Sequence, residues 1–215
     1  AALPALAHAQ AAAPAAGPAP ADARVVWVGR FGDAPEPWRE LRLKAELTPN
    51  RFVRRMWDGV PALEVLSASS MSLMARPLAG DLEADLATTP VLCWRWRIDA
   101  PLKAADMATK AGDDYAARLY LSLRVPEARK SFALRAQLRL ARAIWGPEVP
   151  DAAINYVWDN RQPVGTERPN AYTDRTRMHV LRSGAAEAGR WVSERRDVLG
   201  DAERLFGPGV VPAQL

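Results

Sequence analysis

The stretch Lys110-Ala-Gly-Asp-Asp-Tyr-Ala-Ala-Arg-Leu-Tyr-Leu-Ser-Leu-Arg-Val125 constrains the fold of this chain more than any other. A turn with two adjacent acids, Asp113 and Asp114, runs directly into an alternating segment. Tyr115, Ala117, Leu119, Leu121, Leu123 and Val125 form an apolar set, and Arg118, Tyr120, Ser122 and Arg124 a polar one. Successive side chains on a strand point to opposite faces. The pattern therefore predicts a strand with a core side and a second side able to carry chemistry.

The same alternation recurs along the chain. Over residues 40–47, Leu41, Leu43, Ala45 and Leu47 oppose Arg42, Lys44 and Glu46. Over 91–99, Leu92, Trp94, Trp96 and Ile98 oppose Cys93, Arg95, Arg97 and Asp99. Asp58-Gly59 is flanked by the segments 51–57 and 60–67 and predicts a tight hairpin, because the favoured two-residue turn needs positive φ at both positions. Further strands are expected at 25–28, 154–159, 177–182 and 190–198. Short strands punctuated by Gly, Pro and Asp predict an all-β fold, an antiparallel β-sandwich of jelly-roll type. Ser131 to Trp145 is the exception. Phe132, Ala136, Leu140 and Ile144 recur every fourth residue, Arg135, Arg139 and Arg142 form a second stripe, and Gly146-Pro147 ends the run. The expectation is a crossover helix packed on the sandwich with its arginines in solvent. The alternative is a basic amphipathic helix lying on an anionic membrane or a partner.

A length of 215 residues suits one domain with a full core. The 29 basic and 25 acidic residues nearly cancel, and no Lys/Arg block is long enough to track a phosphate backbone, so no nucleic-acid partner is expected. Cys93 is the only cysteine, which excludes an intramolecular disulfide. Inside a strand-like run and with no histidine near it in sequence, it is expected to be a buried, inert thiol. The opening residues resemble the tail of a secretory signal peptide, with Ala7-His8-Ala9 as a small-x-small cleavage site before Gln10. Residues 11–23, almost entirely Ala, Pro and Gly, follow as a linker, so the expected organisation is a leader and linker over 1–23 and one domain over 24–215. Location is expected to be periplasmic or secreted, with no transmembrane segment.

Nucleophile-elbow, phosphate-loop and dinucleotide fingerprints are missing from the sequence, which removes the enzyme classes built on them. Asp113 and Asp114 leave three roles open. They suit a Ca²⁺ site, acid–base chemistry beside Arg118, or a turn in which one acid caps the backbone and the other pairs with Arg118. No cofactor is expected beyond that calcium option. Strand phase puts Arg95 with Arg97, and Arg118 with Tyr120. A single polar face joining the two pairs, with Asp113 or Asp114 at its rim, is expected if pairing register brings them together. Asn170, Tyr172 and Thr173 form a polar, aromatic-bearing loop of the kind that holds ligands. Trp94 and Trp96 are expected in the core, and His179, between Met178 and Val180, as a structural histidine.

Several motifs occur in a fixed order: Trp94-Arg95-Trp96-Arg97, Gly112-Asp-Asp-Tyr-Ala-Ala-Arg118, Asn155-Tyr-Val-Trp-Asp-Asn160 and Arg168-Pro-Asn-Ala-Tyr-Thr-Asp174. Ser183-Gly184, Trp191, Glu194-Arg-Arg-Asp-Val198, Asp201 and Phe206-Gly207 follow. The series resembles the bacterial family catalogued as domain of unknown function 3047 over about residues 31–207. The resemblance implies an exported, all-β protein and carries no established activity. Members of that family continue past the Phe-Gly motif into a final strand pair, so the ending at Leu215 departs from the pattern and implies truncation.

Function is then expected to be non-catalytic binding of a cell-envelope glycan or another anionic ligand. A carboxylate-dependent or metal-assisted polysaccharide-cleaving enzyme is the alternative, and a structural envelope protein docking a partner is a third. Oligomeric state is not legible in the sequence.

Overall fold

A computed structural model describes residues 25–32, 38–42, 46–78, 88–146 and 149–206. The leader and linker, the middle of the alternating run at 40–47 and the segment from Gly207 onward lie outside the described residues.

The fold is mainly β. The largest element is a four-stranded sheet of β6 (Ala117–Leu123), β7 (Ala152–Asp159), β9 (Thr176–Ser183) and β8 (Glu167–Pro169), in the order β6-β7-β9-β8. Three ribbons accompany it. These pair β1 (Arg39–Leu41) with β4 (Leu73–Ala75), β2 (Arg51–Trp57) with β3 (Val60–Leu66), and β5 (Val91–Trp96) with β10 (Val192–Asp197). The β2–β3 hairpin turns at Asp58 (φ 51°) and Gly59 (φ 74°), the left-handed pair that the sequence predicts.

Pairing is not antiparallel throughout, as the sequence suggested. β7 and β9 run parallel, with Asn155 opposite Met178 and Tyr156 opposite His179. A register shift after Val157 then brings Trp158 opposite Arg182. Alternation on a strand fixes which residues share a face and says nothing about the direction of the neighbour. Residues 25–28 form no strand. The three-residue strands β4 and β8 and the helix α2 (Val198–Phe206) carry no alternating signal and were not anticipated. Asp197 starts α2 by accepting from the Gly200 amide at 3.0 Å.

The core forms where β5 and β10 lie over one face of the large sheet. Trp94 meets the Tyr156 ring at 5.4 Å between centroids, and Trp96 meets Trp158 at 5.9 Å. Leu121, Leu123, Ile154, Leu181, Val192, Val198, Ala202 and Leu205 fill the space around them. Placing Trp94 and Trp96 inward turns Cys93 outward, and the thiol is exposed rather than buried.

The helix α1 (Phe132–Trp145) begins at Ser131, whose hydroxyl accepts from the Leu134 amide at 3.1 Å. Its packing differs from expectation. Leu138 is the buried contact, whereas Phe132 is 88% exposed and Leu140 and Ile144 also face solvent. Arg142 sets this phase by pairing with Asp151 at 2.8 Å, on a carboxylate that also takes Lys130 at 2.9 Å.

Two substitutions measure the difference between these surfaces. Trp158→Ala should lower unfolding free energy by about 3–5 kcal/mol, since it empties the centre of the core. Phe132→Ala should change it by less than about 0.5 kcal/mol. Urea denaturation followed by tryptophan fluorescence checks both.

Candidate functional site

The face of the large sheet turned away from β5 and β10 carries most of the residues singled out in sequence. Leu119 and Leu121 of β6 point to the aromatic core, so Arg118 and Tyr120 point to the opposite, outer face. Register sets Arg118 beside Val157 and Tyr120 beside Asn155. The Tyr120 hydroxyl lies 3.3 Å from Thr176 Oγ1, across β7 on β9.

The segment between β5 and β6 folds over part of this face. Met107 and Tyr115 pack on Val157, Met178 and Val180 as a second, smaller core. Gly112 makes the fold-over feasible. Its carbonyl accepts from the Asp106 amide at 2.8 Å, and a Cβ at Gly112 would sit 2.7 Å from that same nitrogen. The loop after β8 joins it, because the Tyr172 hydroxyl donates to the Lys110 carbonyl at 3.0 Å. Asn170 shapes that loop by accepting from the Tyr172 amide at 2.9 Å, and its side-chain amide reaches Met178 Sδ at 3.4 Å. Thr173 accepts from the Arg175 amide at 3.2 Å. Asp113, Arg118, Tyr120, Asn170, Tyr172 and Thr173 are thus gathered around one face.

The two acids part company. Asp114 is exposed and accepts from the Tyr115 amide at 2.9 Å. Asp113 stands 3.9 Å from the Arg118 guanidinium, which also donates to the Asp113 carbonyl at 3.1 Å. One caps the turn and the other pairs with Arg118. Among the described residues, no group of three or more His, Cys, Asp or Glu is placed to hold a metal ion. Arg118 also lies 4.9 Å above the Tyr115 ring. Burial, and next the charge of Asp113, push the Tyr115 hydroxyl well above the ordinary tyrosine range. The Tyr115 hydroxyl and the Asp113 carboxylate lie within reach of each other, and buried Asn155 Oδ1 has no hydrogen-bond partner. A groove of about 380 Å³ opens in the same covering segment, lined by Leu102, Lys103, Ala104, Ala105, Ala111, Gly112 and Asp114. It does not include Arg118, Tyr120 or Asn155.

Arg95 and Arg97 do not join this face. They alternate with the inward tryptophans of β5, so they lie on the far side of the β5–β10 ribbon, with the aromatic core between them and Arg118. Arg97 instead pairs with Asp58 at 3.2 Å and stacks on Trp57 at 4.6 Å. The single polar face expected from sequence is therefore two separate surfaces, because β5 pairs with β10 and not with β6.

Sequence reasoning also missed a polar network between the layers. Asp201 of α2 is 2% exposed. It accepts from the Tyr156 hydroxyl at 2.8 Å, from Arg196 at 2.9 and 2.5 Å and from Arg204 at 2.6 Å. Arg204 also pairs with Glu167 at 2.6 Å. His179 Nδ1 lies 3.4 Å from Glu167, too poorly aligned to count as a hydrogen bond. Burial alone would raise the Asp201 carboxyl, but the donors from Arg196, Arg204 and Tyr156 outweigh it and hold the group below 3.8. Burial, then the charge of Arg196, push His179 below 6.5 and keep it neutral. The available signal was the charged run Glu194 to Asp197 with Asp201 following, which reads as a solvated surface when taken alone.

A family model described as a protein of unknown function, DUF3047, matches residues 36–214, and the chain belongs to that family. No curated protein matches the chain, and no solved structure does.

The network sets the pH dependence of stability. A histidine whose folded value is depressed contributes in full above its ordinary 6.5 and loses that contribution as pH falls below it. Asp201 and Asp151 are held below 3.8 in the folded state, so their contribution is complete above that value and is lost as pH falls through their folded values. Urea midpoints should therefore decline in two stages, and His179→Gln should remove the earlier one. Asp201→Asn should cost about 2–3 kcal/mol at neutral pH and shrink the later stage. That is less than the roughly 3–5 kcal/mol of a fully buried pair, because both guanidinium groups reach solvent.

Proposed function

We propose that the outer face of the large sheet binds a polyhydroxylated ligand bearing an acidic group, without chemical turnover. An anionic cell-envelope glycan is the class that fits. The observation that carries this is the meeting of two kinds of group on one face. Asn155 Oδ1 is a buried acceptor without a donor. Beside it, Arg118, Tyr120 and Tyr172 reach solvent. A buried acceptor left unmade costs about 1–3 kcal/mol, and ligand hydroxyl groups would recover it. Arg118 suits a carboxylate or sulfate by paired N–H donation, and the tyrosine rings suit the apolar faces of sugars.

One observation favours a second reading. The Tyr115 hydroxyl feels the carboxylates of both Asp113 and Asp159 and lies under a guanidinium. Such a grouping is the beginning of a carboxylate-dependent lyase or hydrolase acting on an acidic polysaccharide. The stacking of the β5–β10 ribbon on the large sheet supports a sandwich-type scaffold for either function. An extracytoplasmic location fits both as well and rests on Ala7-His8-Ala9. Edman sequencing of protein from the native host should then read from Gln10, and retention of the preceding residues would count against export.

A glycan array that includes uronic-acid and sulfated oligosaccharides tests the main proposal. Binding is expected to fall by about tenfold or more in Arg118→Ala, the loss of a charge-assisted pair. Asp114→Asn, which keeps the oxygen that caps the turn, should bind like wild type. Release of product that disappears in Asp113→Asn would replace binding with catalysis as the function. Absence of binding to every acidic and neutral glycan would sink the proposal.

A further inference from the structure

We propose that α1 is an interfacial helix that lays its outward face on an anionic lipid surface. Three strips run along its 14 residues. Leu138 at 3% exposure, with half-buried Leu134, Ala141 and Arg142, faces the protein. Phe132, Ala133, Ala136, Leu140, Ala143 and Ile144 form a continuous apolar arc in solvent, with Phe132, Leu140 and Ile144 at 88%, 64% and 63% exposure. Arg135 and Arg139, both exposed, run along one border of that arc. This apolar arc beside a cationic edge is the arrangement of helices that lie in the plane of a membrane surface.

The helix cannot hide the arc by rolling inward. Arg142 donates to Asp151 at 2.8 Å and to the Val149 carbonyl at 3.1 Å, and Arg135 donates to the Glu127 carbonyl at 2.7 Å. Asp151 in turn accepts from the Val125 amide at 2.8 Å, at the end of β6. These bonds fix the rotation of α1 about its axis and keep Phe132, Leu140 and Ile144 outward.

Charge decides the occupant. Residues 131–145 hold no acid, and with Arg142 paired inward to Asp151 the exposed charges beside the arc are Arg135 and Arg139. Two such helices meeting face to face would bring like charges together in a low-dielectric contact. Anionic headgroups instead neutralise Arg135 and Arg139 while the arc enters the acyl boundary. At about 1.5 Å per residue the helix is roughly 21 Å long, short of the roughly 30 Å hydrocarbon core, so it lies on the bilayer and does not cross it. No described helix is long and apolar enough to cross a membrane.

Cosedimentation of the full chain with phosphatidylcholine vesicles, with and without phosphatidylglycerol, tests the inference. The protein should partition onto the anionic vesicles and not the neutral ones. The triple variant Phe132→Gln, Leu140→Gln, Ile144→Gln should bind about tenfold or more weakly at unchanged charge. Arg139→Gln should weaken partitioning by about fivefold. Circular dichroism and the melting temperature of each variant should match wild type, which separates lost binding from lost folding. Equal binding by wild type and the triple variant would mean attraction by net charge alone and would overturn the inference. So would failure of the folded wild type to bind anionic vesicles, or sedimentation equilibrium showing a dimer that the triple variant abolishes.

Discussion

The carboxylate of Asp201 is the point on which the arrangement of layers depends. Its two oxygens accept from Tyr156 on β7, Arg196 on β10 and Arg204 on α2, and Arg204 continues to Glu167 on β8. A charge at 2% exposure survives in an apolar surround only if its lone pairs are filled, and here one hydroxyl and two guanidinium groups fill them. The network is directional where the aromatic packing around it is not. Trp94 on Tyr156 and Trp96 on Trp158 supply contact area, and Asp201 fixes how the ribbon, the sheet and the helix sit relative to one another. Glu194 repeats the device one step along β10, accepting from Trp96 Nε1 at 3.0 Å and from Arg182 at 2.7 Å.

That arrangement leaves the margin of the outer face of the large sheet open to solvent. β7 is buried along its whole length because both of its faces are covered, one by the aromatic core and the other by the segment carrying Met107 and Tyr115. The second cover is smaller and more polar, and it leaves Arg118 and Tyr120 at the margin. The unpaired Asn155 acceptor at this margin is expensive for folding, and the proposed ligand would supply its missing donor.

Helix α1 follows a different logic. A helix of this length is marginal in water by itself, and tertiary contact supplies most of its stability. Here that contact runs through Leu138 and the Arg142–Asp151 pair, which leaves the most apolar strip unused by the fold. A stripe of Phe132, Leu140 and Ile144 predicts core packing when helical spacing is the only information. The same stripe becomes an external surface once a buried ion pair has set the rotation.

Local alternation determined much of this protein. The strands at 91–96 and 117–123, the Asp58-Gly59 hairpin, the helix starting after Ser131, and the partition of Trp94 from Arg95 and of Leu119 from Arg118 all follow from side-chain periodicity and turn chemistry. The split between Asp113 and Asp114 was legible for the same reason, since neighbours on an extended chain point apart. Tertiary structure alone decided the rest. It set the parallel run of β9 beside β7, the separation of Arg97 from Arg118, the outward thiol of Cys93 and the convergence on Asp201 of groups 45 and 5 residues away in sequence. Periodicity is a property of one strand and is fixed by the geometry of its own backbone. Which faces meet is a property of pairs of distant strands, settled by register, direction and the need to satisfy every buried charge at once.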